Sequence, residues 1–248
     1  GLQWHDSKIT KNSLPAETQL SLKRSKLSVS IILKESDEDA KYDLFQRLNT
    51  GGSELSPQEV RNCLLLMLNK KMFEWLQELA QHKTFIQVVA LSDRPIEQSY
   101  DVELVLRFLV LHNLDELGLK SIGDVGNFLT EEMTALARDK TFDYKLNEQV
   151  CKNTFDLLST SVGETAFKRF STTKKRHEGG FLLSQFEVVA LGLAHNIRNN
   201  SQLAVAKIAD AVSGIWSDKR YTAWSSSGIN ASRRVPKLVP LGRTIFHK

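Results

Sequence analysis

Only one segment of the chain alternates apolar and polar residues in the way typical of a β-strand. Between residues 24 and 34, Leu27, Val29, Ile31 and Leu33 fall at every second position, which predicts a strand with one buried face. A single strand is not stable by itself. The strands that pair with it are therefore expected either to show only a weak alternation in this sequence or to lie outside it.

Helical periodicity dominates the remainder of the sequence. The segment 100–113, YDVELVLRFLVLHN, is apolar nearly all round and predicts a central buried helix. Further helices are predicted over 36–49, from 57 onward, and near 121–138, 142–160, 183–197 and 201–216. The stretches 169–180 and 217–237 mix basic residues with Gly, Ser and aromatic residues and are predicted to be irregular. The expected fold class is α+β and predominantly α-helical, a partial β element at the N-terminus being followed by a helical bundle.

The junction FQRLNTGGSELSPQEVRN, residues 45–62, contains explicit signals for the end of one helix and the start of the next. Glycine favours the left-handed turn that ends a helix, and Ser56-Pro57-Gln58-Glu59 predicts a capping box with proline at the first helical position. Adjacent glycines also let backbone approach a ligand closely, and a helix N-terminus favours anions. The junction is therefore either a capped joint between helices or a ligand-facing site. The residues expected to shape such a site are Arg47, Asn49, Gly51, Gly52 and Arg61.

Charge is distributed unevenly along the chain. The net charge is +4, but residues 1–160 contribute −5 and residues 161–248 contribute +9. A basic third beside an acidic remainder is typical of a polyanion-binding face, or it is an uneven solvated surface. The candidate nucleic-acid contacts are Lys174, Lys175, Arg176, Arg233, Arg234 and Lys237. The last three lie near Tyr221 and Trp224, which are able to stack on bases or to pack internally; these cations would otherwise serve solubility or face an acidic protein surface.

Composition and spacing predict neither a membrane span nor a catalytic or metal site. Hydrophobic residues make up 41% and charged residues 25% of the chain, and no apolar run approaches the roughly 18 residues of a spanning helix. A cytoplasmic location with reduced thiols at Cys63 and Cys151 is expected. The segment HNIRNN (195–200) superficially suggests a nuclease centre, but His195 is predicted to end an apolar helix.

The segment AKYDLFQRLNTGGSELSPQEVRNC resembles the F-x-R-L/I-N-x-G-G-x-x-L-x-x-Q-E-x-R-N signature of a ParB-like family. This family is typified by the N-terminal domain of GmrSD modification-dependent restriction enzymes, and it is largely catalogued as a domain of unknown function. The resemblance continues in LKRSKLSVSIILKESD, in GGFLLSQFEVVALGLAHN and in SGINASRRVPKLVPLGRTIF. It implies a bacterial or phage-encoded DNA-related protein with a ParB-like front and a helical remainder.

The resemblance also implies how the chain divides and what it does. Residues 1–62 would be the remnant of a ParB-like α+β domain, and 63–248 a helical domain with a basic C-terminal region. In the family an upstream Asp-Gly-Gln-Gln-Arg or Asp-Gly-Leu-Gln-Arg segment is tied to nucleotide binding and hydrolysis, and this sequence has no such segment. We therefore expect the C-terminal part of a longer protein, with no cofactor and no catalytic residue of its own.

Three functions follow as expectations. The first is recognition of DNA or nucleotide in restriction or phage defence. The second is that the chain is part of a nucleotide hydrolase. In that protein, residues upstream of this sequence would bind a nucleoside triphosphate and a divalent metal. The third is a scaffold whose acidic and basic halves bind protein partners or further copies of the chain.

Overall fold

The computed structural model describes Trp4 and residues 13–26, 28–29, 55–199, 205–226 and 228–247. The chain divides into two units, Gly1–Leu48 and Asn49–Lys248. In the first unit, helix α1 (Ala16–Arg24) follows Pro15, and Lys23 Nζ lies 5.3 Å from the centre of the Trp4 ring. The strand predicted over 24–34 lies largely outside the described residues, as does the helix predicted over 36–49; Arg24 is the last residue of α1.

The second unit is predominantly α-helical, as the sequence predicts. Its helices in chain order are α2 (Pro57–Leu68), α3 (Lys70–Ala80), α4 (Lys83–Val89), α5 (Asp93–Glu97), α6 (Tyr100–Leu111), α7 (Glu116–Ser121), α8 (Val125–Arg138), α9 (Tyr144–Ser161), α10 (Leu183–Arg198), α11 (Val205–Gly214), α12 (Lys219–Trp224) and α13 (Ala231–Ile245). Short 3₁₀ helices cover Gly163–Thr165 and Ile215–Ser217. Strands β1 (Arg169–Ser171) and β2 (Arg176–Glu178) pair as an antiparallel hairpin, with Phe170 opposite His177. The expected domain boundary between 62 and 63 falls within α2.

The capping box predicted at Ser56 is confirmed. The Ser56 hydroxyl oxygen accepts from the Glu59 backbone N–H at 3.2 Å, and the Ser56 N–H donates to Glu59 Oε2 at 2.7 Å. The same hydroxyl donates to the carbonyl oxygen of Gln98 at 2.7 Å. The N-terminus of α2 is thereby fixed against the turn that leads into α6.

Helix α6 is the central buried helix that its sequence predicts. Nine of its residues are buried, and Leu104, Val105 and Phe108 are fully so. Helices α2, α3, α8, α9 and α10 all contact it. Because other helices pack around α6, its apolar residues are not restricted to one face. This explains why its sequence is apolar nearly throughout.

The two stretches predicted to be irregular contain regular structure. The hairpin lies within 169–180; its strands are only three residues long, too short to show alternation, and its turn uses Lys175 in the left-handed region (φ 53°). Within 217–237, α12 is followed by the first half of α13. The side chain of Asn230 caps α13 by accepting from the Ser232 N–H. Pro236 and Pro240 stand inside this helix, and proline normally indicates a helix end.

Helices α10 and α13 pack with their backbones in direct proximity. A Cβ placed on Gly192 would lie 2.5 Å from the carbonyl carbon of Gly242. A Cβ on Gly242 would lie closer still to the carbonyl oxygen of Val188. No side chain fits between two backbones at this separation. The packing of α10 on α13 therefore requires glycine at both positions.

Gly242→Ala is expected to lower the free energy of unfolding by about 3 kcal/mol or more, because the added methyl group forces two helices apart. Gly214→Ala is the matched control, since nothing lies within 4 Å of a Cβ at that helical position; it is expected to be neutral or stabilising by up to about 1 kcal/mol. Urea unfolding followed by circular dichroism measures both. Equal stability of the two variants would contradict the close backbone contact.

Ala90→Gly is expected to stabilise the protein by about 0.5–1 kcal/mol. Ala90 ends α4 in the left-handed region, with φ 46° and ψ 49°, a conformation that costs a non-glycine residue about 1–2 kcal/mol and that glycine adopts freely. Ala135→Gly, an exposed position within α8, is expected to destabilise by about 1 kcal/mol. Thermal unfolding of the pair should show shifts of opposite sign; a loss of stability in both contradicts the strain at Ala90.

Candidate nucleic-acid interface and the buried polar centre

The predicted ligand-facing junction is described at one of its five positions. Arg47, Asn49, Gly51 and Gly52 lie outside the described residues. Arg61 lies on α2 with 3% of its side chain exposed, and its Nη2 atom donates to Glu103 Oε2 at 2.5 Å. Its Nε atom donates to Gln58 Oε1 at 2.8 Å. The guanidinium group of Arg61 therefore joins α2 to α6.

A second arginine completes this buried cluster on α6. Arg107 Nε and Nη2 donate to Glu103 Oε1 at 2.9 and 2.8 Å. Glu103 thus lies between two guanidinium groups, each bound to one of its carboxylate oxygens. Removing either charge from such a buried site leaves the other imperfectly compensated. The Arg61–Glu103–Arg107 cluster accordingly fixes the orientation of α2 on the central helix.

A second buried ion pair joins α10 to α13. Arg234 Nε lies 2.7 Å from Glu187 Oε2, and Arg234 Nη2 lies 2.9 Å from Glu187 Oε1. The side chains are 14% and 1% exposed, respectively, and the carboxylate of Glu187 raises the pKa of Arg234. Arg234, predicted to hold a DNA phosphate, directs its guanidinium group into the protein. It is a structural partner of Glu187.

Tyr100 lies within the electric field of both ion pairs. Burial raises the pKa of its hydroxyl to about 12; Arg107 and Arg234 act in the opposite direction, and Glu103 and Glu187 add to the rise. Its ring meets Phe181 edge-on, with ring centres 6.2 Å apart. The Arg61–Glu103–Arg107 cluster with Gln58, the Glu187–Arg234 pair and Tyr100 form what we call the buried polar centre, to which α2, α6, α10 and α13 contribute.

Hydrogen bonds among Tyr221, Ser184 and Gln185 extend this centre along α10. Tyr221 on α12 is fully buried, and its hydroxyl donates to Gln185 Oε1 at 3.0 Å. Ser184 Oγ lies 3.3 Å from the same hydroxyl. These bonds fix α12 against α10 and so position the segment that carries Trp224.

The remaining basic residues predicted on α13 are exposed. Arg233 and Lys237 lie one helical turn apart, so their side chains share one face of the helix. Lys237 Nζ lies 5.8 Å from the centre of the half-buried Trp224 ring. In the described part of the chain, neither cation is within ion-pairing distance of a carboxylate. Both are available to an external anion.

The predicted cations of 174–176 lie at the tip of the β1–β2 hairpin. Lys174 Nζ lies 3.0 Å from Glu178 Oε2, which partly neutralises it. Lys175 in the turn and Arg176 at the start of β2 are exposed. At the base of the hairpin, the Arg169 guanidinium group lies 5.8 Å from the centre of the Trp216 ring. Arginine over indole is a favourable cation–π arrangement.

Contacts between successive elements connect the two predicted basic stretches. Strand β1 contacts the 3₁₀ helix at Ile215–Ser217, which contacts α12, which in turn contacts α13. Two carboxylates along this path are already paired, Glu178 with Lys174 and Asp218 with Arg220. We give the name basic surface to five exposed cations of this path: Lys175, Arg176, Lys219, Arg233 and Lys237. The other exposed cations of the path are Arg169, which lies over Trp216, and the carboxylate-paired Lys174 and Arg220.

The histidine of the HNIRNN segment belongs to a helix end. His195 Nδ1 lies 3.3 Å from the carbonyl oxygen of His112, and Asn199 Nδ2 lies 3.2 Å from His195 Nε2. His112 is fully buried, and burial lowers its pKa to about 4. The described ranges contain no group of three or more His, Cys, Asp or Glu residues suited to a metal ion.

The acidic members of the buried polar centre were not predicted from the sequence. Glu103 and Glu187 lie among apolar residues on two helices whose other charged residues are Asp101, Arg107 and Arg198. A glutamate surrounded by apolar residues in the middle of such a helix is expected to be buried, and buried charges are normally paired. The apolar surroundings of these two glutamates in the sequence are therefore a signal that each pairs with a basic residue.

Comparison of the chain with models of protein families, with curated proteins and with solved structures gives no match. None of the helices in the described ranges has both the length and the apolar character to cross a bilayer. Function is therefore inferred from the geometry of the basic surface and from the sequence resemblance.

Arg234→Ala is expected to destabilise the protein by about 3–5 kcal/mol, because it leaves the buried Glu187 carboxylate without its partner. Arg233→Ala, the neighbouring and exposed arginine, is expected to change stability by less than about 0.5 kcal/mol. Chemical unfolding of both variants measures the difference. Similar values for the two would show that the Glu187–Arg234 pair does not support the fold.

Proposed function

We propose that the unit Asn49–Lys248 binds nucleic acid through the basic surface. It would act as the DNA-recognition part of a GmrSD-like, ParB-like restriction or phage-defence protein in the bacterial cytoplasm. The observation that supports this is the connected series of elements from the hairpin to α13, which presents cations and the half-buried Trp224 beside Lys237. Phosphate contacts by Lys and Arg dominate nucleic-acid affinity, and tryptophan stacks on bases of any sequence.

The charge distribution supports the same proposal. Residues 161–248 have a net charge of +9, against −5 for residues 1–160. Two of the few carboxylates in this basic third are on the surface path and are paired with Lys174 and Arg220. A polyanion approaching this part of the unit therefore meets an excess of cations, which favours its association.

The sequence resemblance adds independent support. Three of the stretches that carry it contribute to the buried polar centre: Gln58 and Arg61 from the junction, Glu187 from SQFE, and Arg234 from SRRVPK. Because these residues are buried in ion pairs, they would serve the fold of such a family rather than contact its ligand. Exposed Arg233 and Lys237 are then the positions through which the function would act.

The double variant Arg233→Glu/Lys237→Glu tests the proposal. It is expected to weaken binding to labelled duplex DNA by about tenfold or more, similarly for unrelated sequences, since phosphate contacts are not sequence-specific. The slope of log affinity against log salt should fall by about 2. Fluorescence anisotropy at several salt concentrations measures both quantities.

Lys140→Glu/Lys145→Glu is the charge-matched control. Both lysines are exposed near the start of α9, and the double variant changes the net charge by the same amount. Circular dichroism establishes that each protein is folded. Equal losses in the two double variants would indicate a general charge effect, and unchanged binding in both would reject the basic surface as a nucleic-acid site.

A further inference from the structure

A small apolar cavity opens to the surface between α4 and α5, on the acidic side of the sequence. It has a volume of about 90 Å³ and is lined by Phe85, Ile86, Val89, Leu91 and Ile96, with Asp101 as a charged residue in its wall. None of these residues belongs to the basic surface. The cavity is therefore a separate feature from the proposed nucleic-acid site.

Two of the apolar lining residues are unusually exposed for their type. Ile86 is 48% exposed and Ile96 is 43% exposed, although both line the same cavity. Covering branched aliphatic surface is favourable by about 25 cal/mol per Å². A partner that fills the cavity would gain this contribution from both walls at once.

The volume restricts what the cavity is able to bind. Sites for cofactors and drug-sized ligands are usually about 300–1,000 Å³, and an engineered cavity of about 150 Å³ holds benzene. A cavity of about 90 Å³ is smaller than either. It has the size to receive a single aliphatic side chain.

The charges around the cavity define the neighbouring chemistry. Asp101 is half-buried, and this burial raises the pKa of its carboxyl group. Asp93 and Glu97 are exposed on α5, on either side of Ile96 in the sequence. Arg94 on α5 and Lys83 at the start of α4 are the opposing cations. Together with Asp101, these residues give the segment 83–101 a net charge of −1.

We propose that this cavity is a docking site for a basic segment of a protein partner, in which an aliphatic side chain is flanked by Lys or Arg. The aliphatic group would enter between Ile86 and Ile96, and a flanking cation would pair with Asp101. The carboxylates of Asp93, Glu97 and Asp101 favour a basic peptide over a polyanion. The cavity would therefore bind a protein partner, while the separate basic surface contacts nucleic acid.

The experiment titrates the full chain, labelled with ¹⁵N, with three blocked tripeptides: Lys-Leu-Lys, Lys-Ala-Lys and Glu-Leu-Glu. Lys-Leu-Lys is expected to give saturable shifts of the backbone amides of Ile86, Ile96 and Asp101. The other two peptides are expected to bind at least tenfold more weakly, because each lacks one of the two required features. Equal binding by Lys-Ala-Lys would mean that charge alone acts, and equal binding by Glu-Leu-Glu would remove the role of Asp101; either result overturns the proposal.

Variants assign the contacts. Ile96→Glu is expected to weaken Lys-Leu-Lys binding by tenfold or more. Asp101→Asn is expected to weaken it by about fivefold, because a partly exposed ion pair contributes about 1 kcal/mol. Leu117→Glu, which changes a 76% exposed leucine on α7, is the control and should leave binding unchanged. Equal binding by all three variants and the unmodified chain rejects the site.

Two further measurements separate the alternative occupants. Sedimentation velocity shows whether the unmodified chain self-associates; a dimer that Ile96→Glu dissociates would mean that a second copy occupies the cavity, which contradicts a separate basic partner. DNA binding by Asp101→Asn should equal that of the unmodified chain. Loss of DNA binding in this variant would show that the two surfaces are not independent and would overturn the division of roles.

Discussion

The close contact between the backbones of α10 and α13 is the constraint on which the second unit depends. Gly192 and Gly242 allow the two helices to meet without intervening side chains. This separation brings Arg234 within bidentate distance of Glu187, and it places Asn196 Nδ2 3.0 Å from the carbonyl oxygen of Arg243. A wider spacing would break the Arg234–Glu187 contact near the start of α13 and the Asn196–Arg243 contact near its end.

The buried polar centre explains why neighbouring arginines have different roles. Arg233 and Arg234 are adjacent, so their side chains project about 100° apart around α13. One meets the carboxylate of Glu187 and the other meets solvent. A buried ion pair contributes little net stability compared with a well-packed apolar pair, yet it strongly disfavours arrangements that separate its charges. The pair accordingly fixes the register of α13 on α10 and, with it, the direction in which Arg233 and Lys237 point.

The sequence predicts the parts of this structure that depend on local rules. The Ser56 capping box and the central α6 are confirmed because capping and helical periodicity are determined by nearby residues. The hairpin and the first half of α13 were predicted wrongly, since strands of three residues show no alternation and Pro236 within a helix contradicts the usual meaning of proline. The sequence does not predict which of Arg233 and Arg234 is exposed, because Arg234 is buried by its pairing with Glu187, 47 positions earlier in the chain.

Arg243 has a consequence for how the protein is made. Its Nη2 atom bonds the carbonyl oxygens of His112 and Leu114, at 3.1 and 2.5 Å, from α13 to the end of the central helix. These partners are separated by 131 and 129 positions. During synthesis, the central helix leaves the ribosome long before the arginine that binds the residues directly after it. The nascent unit must therefore retain an unfinished core until α13 has been translated, and Arg233 and Lys237 join the basic surface only then.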